Sequence, residues 1–302
     1  MKLLIAGFGD LGQTLAQTCL TTAGWEQTAV LAIRRNPPNK VYASNISWIQ
    51  ADLSQPESLA ALTDHVAEIT HVVYCAAPSE RLESAYRSTY VDGLRNLVQY
   101  LTAQKASPAQ KSHHAPPQLL FVSSTAVYDN QTKGEFDETS PTKPRGFNGR
   151  ILLEAETWLA QHWAGAIILR LSGIYGPNKT GLLTSIASGT ATIPTNPDFI
   201  ANRIHIEDAA RAILHLLGSR QSGVFIGTDS HPIPLADLYR GLARMLGAPE
   251  PKSGSASPMM GKKRLSNQKL LSTGLKLKWP DSMLGYKALI AARGQPDATQ
   301  SS

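Results

Sequence analysis

One stretch near the start of the chain, LLIAGFGDLGQTLAQTCL (residues 3–20), limits what the rest can fold into. An apolar run of strand character ends at Gly7, and Gly9 and Gly12 open a run of helical periodicity. In this strand–turn–helix context G-x-G-x-x-G is more than a flexible turn. Gly7 permits the tight turn, Gly9 lets the backbone approach a pyrophosphate, and Gly12 lets the helix sit close to the strand. The first helical turn then presents unpaired N–H groups and the positive end of its dipole to the phosphates. Phe8, Asp10 and Leu11 complete the predicted cofactor loop.

Further apolar runs follow at 29–34, 46–52, 71–77, 119–124 and 166–172, separated by amphipathic stretches of helical length. Short apolar strands alternating with helices predict a doubly wound parallel α/β sheet of Rossmann type. After residue 176 the alternation loosens and turn-formers appear (SGTATIPTNPD). The reading is a dinucleotide-binding domain over residues 1–176, rejoined by parts of 201–230. A small C-terminal substrate lobe covers most of 177–302, with a disordered tail from residue 293. The polar, Pro-rich segment 102–118 reads as a surface loop, and its His113 and His114 lack spaced partners for a metal. No metal is expected.

A chain of 302 residues, 42% hydrophobic, can build a large core without staples. Its two cysteines, Cys19 and Cys75, make no disulfide framework and read as small buried hydrophobes. No charged-then-apolar leader opens the sequence and no apolar run reaches spanning length, so a soluble, cytoplasmic protein without a membrane partner is expected. The net charge of +6 is concentrated: from residue 251 there are nine Lys or Arg against two Asp. That predicts a solvated basic face, or a lobe that attracts an anionic small-molecule substrate. No aromatic-interleaved platform accompanies the charge, so nucleic acid is not expected.

Selection among dinucleotides is legible about 20 residues past the glycines. An NAD site would place an acidic residue there; this chain has AIRRN, with Arg34 and Arg35. A guanidinium can grip a 2′-phosphate that a carboxylate would repel. The cofactor expectation is NADP, with NAD as the alternative. Asp52 and Leu53, after the third strand, are placed to meet the adenine.

These residues resemble the extended branch of the short-chain dehydrogenase/reductase superfamily, the NAD(P)-dependent epimerase/dehydratase type, over nearly the whole chain. The likeness rests on IQADLSQPESL, VVYCAAPS, TYVDGLRNLVQYL with Gly93, FVSSTAVYD, LRLSGIYGPN, NRIHIEDAARAI with His205 and Asp208, and KRLSNQKLLSTGL. It implies that Ala76, Ala77 and Ser123 line the cofactor. It implies hydride chemistry at nicotinamide, with a Ser/Thr–Tyr–Lys set moving the proton. It also implies a paired-helix homodimer, to which RILLEAETWLAQHW would contribute Ile151, Leu152, Trp158, Leu159 and Trp163.

The dyad is missing. Aligning NGRILLEAE on the family's tyrosine helix puts Asn148 at the tyrosine and Leu152 at the lysine. No tyrosine lies between Tyr128 and Tyr175, and no lysine between Lys143 and Lys179, so no shift of register restores the pair. The chain thus reads as an atypical member. Tyr90 also stands where the family commonly has Asn, and Asp129 where it has Gly. Ser124, four residues before Tyr128, is the predicted hydroxyl. Asn148 can orient a carbonyl but cannot supply a proton near neutrality. Arg150 can hold an anion, His205 titrates near neutrality, and Tyr175 is the first candidate for a displaced phenol. The function expected is an NADP-dependent oxidoreductase or epimerase/dehydratase-like enzyme with a non-standard proton source; the alternative is a binding protein that senses NADP(H).

Overall fold

The computed structural model describes residues 1–38, 45–106, 115–255 and 260–293. The histidine pair 113–114 and the tail from 294 lie outside the described residues. The chain divides into two compact units. The first comprises Met1–Tyr128, Pro141–Leu171 and Ala209–Phe225; the second comprises Asp129–Ser140, Ser172–Asp208 and Ile226–Ser302.

The first unit is built on strands β1 (Lys2–Ala6), β2 (Ala29–Arg34), β3 (Ile46–Gln50), β4 (His71–Tyr74), β5 (Gln118–Ser124), β6 (Ile167–Leu171) and the first three residues of β7 (Gly223–Gly227). They form one seven-stranded sheet of order β7-β6-β5-β4-β1-β2-β3, with parallel pairing from β6 through β3. The strand order reverses next to β1, so the crevice at the carboxyl ends of β1 and β4 is the topological switch point where such sheets bind ligands. Helices flank the sheet, so its central strands are apolar in continuous runs: Leu3, Leu4, Ile5, Val72, Val73, Leu119, Leu120 and Phe121 are fully buried. The seventh strand, from GVFIG, was not among the apolar runs that the sequence marked out.

Helix α1 (Asp10–Cys19) follows the glycine turn. A helical stretch of mixed geometry crosses from β4 to β5: α2 (Glu83–Arg87), a π turn Ser88–Asp92, and α3 (Gly93–Ala106). Helix α4 (Phe147–His162) carries the NGRILLEAE stretch.

The second unit has a separate core around Tyr175, Leu183, Ile186, Leu238, Leu242 and Tyr286. Its boundary differs from the cut expected at residue 176. Residues 129–140 belong to it because Gly134–Phe136 pairs in parallel with Lys263–Leu265, from the basic C-terminal stretch. That pairing spans over a hundred residues and has no local signal. No helix among the described residues is long and apolar enough to cross a membrane.

Candidate functional site

The glycine turn is shaped by close approach. Gly7 has φ +101°, which disfavours any L side chain, and a Cβ there would collide with the backbone of Ala76. A Cβ on Gly12 would come within 2.6 Å of the Gly7 carbonyl and 3.3 Å of the Ile5 side chain. Turn, helix and β4 terminus are therefore packed backbone to backbone. Gly9 is different: nothing lies within 4 Å of where its Cβ would be. It caps α1 without any side-chain hydrogen bond, so no capping side chain fills the amino end of the helix. This cradle fits a pyrophosphate. The Cys75 thiol donates to the Gly7 carbonyl at 3.0 Å, and burial pushes it up to about 12, so it stays an S–H donor. Cys19 is likewise buried and pushed up to about 12.

The remaining expected cofactor residues spread around this turn. Phe8 is buried and packs edge-on against Trp48 at 4.9 Å. Leu11 is buried and Asp10 is half-buried in the first turn of α1. Arg34 and Arg35 extend exposed from the end of β2. The Asp52 carboxylate accepts from the backbone and hydroxyl of Ser54 at 3.0 and 2.7 Å, forming the turn that leads to the 3-10 helix Pro56–Glu68. The Leu53 carbonyl accepts from Asn96 at 3.0 Å. Ala76 is half-buried beside Gly7, and Ala77 is exposed.

Ser123 is placed elsewhere than expected. It is 5% exposed and donates to Glu156 at 2.5 Å. Adjacent strand residues face opposite sides of a sheet, so Ser123 and Ser124 cannot both face one groove. Glu156, 2% exposed on α4, also takes Arg170 through three contacts of 2.6–3.1 Å. Arg170 donates on to Tyr128 Oη at 2.7 Å, with its guanidinium carbon 5.0 Å from the ring centroid. Burial works against the Arg170 charge, yet Glu156 and Tyr128 hold its pKa above the ordinary value. Tyr128 and Arg170 therefore belong to a closed buried network. Glu156 was missed because nothing in sequence separates a buried carboxylate from a solvated helix face.

Ser124 ends β5 half-buried, its Oγ accepting from Ala126 N at 3.2 Å. The first turn of α4 packs directly on this segment: a Cβ on Gly149 would strike the Ala126 carbonyl. Asn148, half-buried, is thereby held one residue from the Ser124–Ala126 turn's packing contact. Leu152, one turn on, is 3% exposed. The side chain expected at the lysine position is thus buried. Arg150 is exposed and donates to the Arg145 carbonyl at 2.9 Å. Ile151, Leu159 and Trp163 are buried as well, so most of the apolar bulk of α4 serves the unit's own core. Trp158 stays half-exposed, stacked on His162 at 4.3 Å with Arg95 5.6 Å over its ring.

Tyr175 does not suit the role of displaced proton donor. It lies in the second unit, 1% exposed, stacked on Tyr286 at 4.3 Å. Burial raises its phenol well above the ordinary range, and its Oη has no hydrogen-bond partner among the described residues. His205 is 3% exposed in the same unit and kept neutral by burial. Its Nδ1 accepts from the Glu207 backbone at 3.2 Å. No cluster that could hold a metal occurs among the described residues.

The chain is similar to known proteins along its length. A solved structure from Methylobacillus flagellatus, provisionally named an NAD-dependent epimerase/dehydratase, is 34% identical, with 97% of this chain and 99% of that one covered and a TM-score of 0.77. Protein YeeZ of Escherichia coli K12 is 27% identical over 289 residues, 94% of this chain and 98% of YeeZ. UDP-glucose 4-epimerase of Thermus thermophilus, solved in complex with NAD, shares the fold at 17% identity and a TM-score of 0.77, with 98% of this chain and all of that one covered. The model of the RmlD substrate binding domain matches residues 1–226. With its glycine cradle at the switch point, the chain belongs to the RmlD substrate binding domain family, as an atypical extended short-chain dehydrogenase/reductase of the epimerase/dehydratase type.

Proposed function

We propose that this protein is an NADP(H)-dependent oxidoreductase acting on a carbonyl or hydroxyl carbon of a small, anionic substrate. The observation that carries the reading is the cradle at the end of β1. Gly7 lies against Ala76, space in front of Gly9 is open, and the α1 N-terminus is uncapped. The cofactor's pyrophosphate would rest on the Gly9–Gly12 turn, and its 2′-phosphate would meet Arg34 and Arg35. When bound, the nicotinamide would supply hydride chemistry. The chain's own groups hold and orient: Ser124 Oγ and the Asn148 amide, both half-buried, would hydrogen-bond the substrate oxygen.

The cofactor assignment is tested by titrating NADPH and NADH against the wild type and the Arg34→Ala/Arg35→Ala double variant. Each charge-assisted phosphate contact contributes roughly 1.5–3 kcal/mol, so the variant should lose more than tenfold in NADPH affinity and little for NADH. Equal wild-type affinity for the two would overturn the preference. A hydride-exchange screen over carbonyl and nucleotide-sugar substrates then tests the reaction class.

A second reading, a protein that binds NADP(H) and signals through a partner without turnover, is favoured by the burial of Leu152. It predicts dinucleotide binding with no hydride exchange. Homodimerisation remains part of the proposal, centred on the half-exposed Trp158 and its neighbours Arg95 and Glu154.

A further inference from the structure

The helical crossing between β4 and β5 brings two phenols to the place where the family's tyrosine is absent. Tyr86 is on α2 and Tyr90 on the π turn, their rings 5.6 Å apart. Tyr86 meets Phe147 edge-on at 5.2 Å, and Phe147 precedes Asn148 in the first turn of α4. Tyr90 meets Phe121 of β5 at 6.3 Å, three residues before Ser124. Both rings are half-buried, neither sealed in the core nor free in solvent. Each packs against aromatic neighbours and keeps part of its surface exposed.

The backbone around Tyr90 is unusual. A π turn inside a helix displaces one residue from the regular ladder and recurs at functional sites. Here it is pinned by the buried Tyr74, whose Oη donates to the Thr89 carbonyl at 2.5 Å. Gly93, which follows the turn, leaves no room for a Cβ beside the same Tyr74 Oη. The consequence is that the backbone next to Tyr90 is held by the last residue of β4, with Tyr90 near Cys75.

We propose that Tyr90 is the proton donor to the substrate oxygen, with Tyr86 passing protons between it and solvent. The proposal rests on the cofactor reading above and deepens it. In the reducing direction the carbonyl carbon receives a hydride, and the bound dinucleotide is oxidised by two electrons. The carbonyl oxygen takes the phenolic proton of Tyr90, and the phenolate recovers one from solvent through Tyr86. One carbonyl, one reduced dinucleotide and one proton give one alcohol and one oxidised dinucleotide. Burial, with Tyr86 and Cys75 nearby, raises the Tyr90 phenol above its ordinary range, so it remains an O–H donor at neutral pH. An alkoxide is basic enough to take that proton.

The test places a charge beside the phenol and does not depend on turnover. The protein is labelled with 3-fluorotyrosine, whose phenol titrates lower than tyrosine's, and the Tyr90 ¹⁹F resonance is identified by its loss in Tyr90→Phe. NADP⁺ and NADPH carry the same phosphates and differ in the charge of the nicotinamide ring. If Tyr90 faces that ring, its titration midpoint should lie on the order of one pH unit lower with NADP⁺ than with NADPH. Tyr90→Phe should keep dinucleotide affinity within about twofold. For any carbonyl the wild type reduces, it should lose roughly 10²-fold or more in kcat. Identical midpoints with the two dinucleotides, or wild-type kcat in Tyr90→Phe, would overturn the assignment while leaving the cofactor reading intact. If the wild type binds neither dinucleotide, the cofactor reading has failed and this one falls with it.

Discussion

Asp229 is a buried carboxyl with no cation to pair with among the described residues, and its cost should be measurable as a slope of stability against pH. It is 1% exposed in the second unit, and its Oδ2 has no hydrogen-bond partner among the described residues. Burial pushes it up to about 6 from 3.8, only partly offset by Ser282 and the backbone, with Asp281 adding to the rise. Near it among the described residues are the phenols of Tyr175 and Tyr286 and also Arg203, whose carbonyl accepts from the Asp229 N–H and whose charge acts on Tyr286. The folded state therefore binds this proton more tightly than the unfolded chain does. Below about pH 3.8 both states are protonated and there is no penalty; above pH 6 the penalty is complete. A rise of roughly 2 units at 1.36 kcal/mol each costs about 3 kcal/mol at pH 8, with about half of it present by pH 5. Asp229→Asn abolishes the ionisation and keeps the shape. The difference in unfolding free energy, variant minus wild type, should rise by roughly 1.5 kcal/mol from pH 5 to pH 8 in urea titrations. Taking this difference cancels every other titrating group. A flat difference across that range would refute the reasoning: Asp229 would then be solvated or paired.

The buried network of Ser123, Glu156, Arg170 and Tyr128 makes a sharper prediction. Glu156→Gln leaves a buried guanidinium without its counter-charge and should cost about 3–5 kcal/mol in urea unfolding; a loss under 1 kcal/mol would mean the pair is open to water. Restoring the family's dyad by Asn148→Tyr with Leu152→Lys should fail. Position 152 is 3% exposed, so a lysine there buries an unpaired ammonium. We expect several kcal/mol of destabilisation, chiefly from Leu152→Lys, and no gain in hydride exchange; a stable, more active double variant would contradict the burial seen here. A dimer centred on Trp158 predicts twice the chain mass in light scattering at micromolar concentration, reverting to one chain in Trp158→Glu; a wild-type mass of one chain would remove the dimer.

The parts that could be read in order along the chain are those governed by local chemistry. Gly7, Gly9 and Gly12 announce a turn because only glycine tolerates φ +101° against Ala76 and leaves the cradle before Gly9 open. The apolar runs of β1 to β6 announce a sheet covered by helices, because strands buried on both faces read as near-continuous apolar runs. The absence of Tyr and Lys from α4 is likewise a plain statement of sequence. What tertiary structure alone decides is which side of each element meets which partner. Periodicity marks Leu152 as apolar but not whether its face borders a groove or the core. Ser123 and Ser124 are equivalent as letters, yet alternation and the Glu156 carboxylate, 33 residues on from Ser123, turn the first inward. Residues 129–140 leave the first unit through a pairing with Lys263–Leu265 that no local signal marks. Tyr86, Tyr90, Phe121 and Phe147 are scattered over 62 positions and become one cluster only when two helices and a strand pack. Burial and charge pairing depend on neighbours distant in sequence, and the energy that sets them exists only once those neighbours have met.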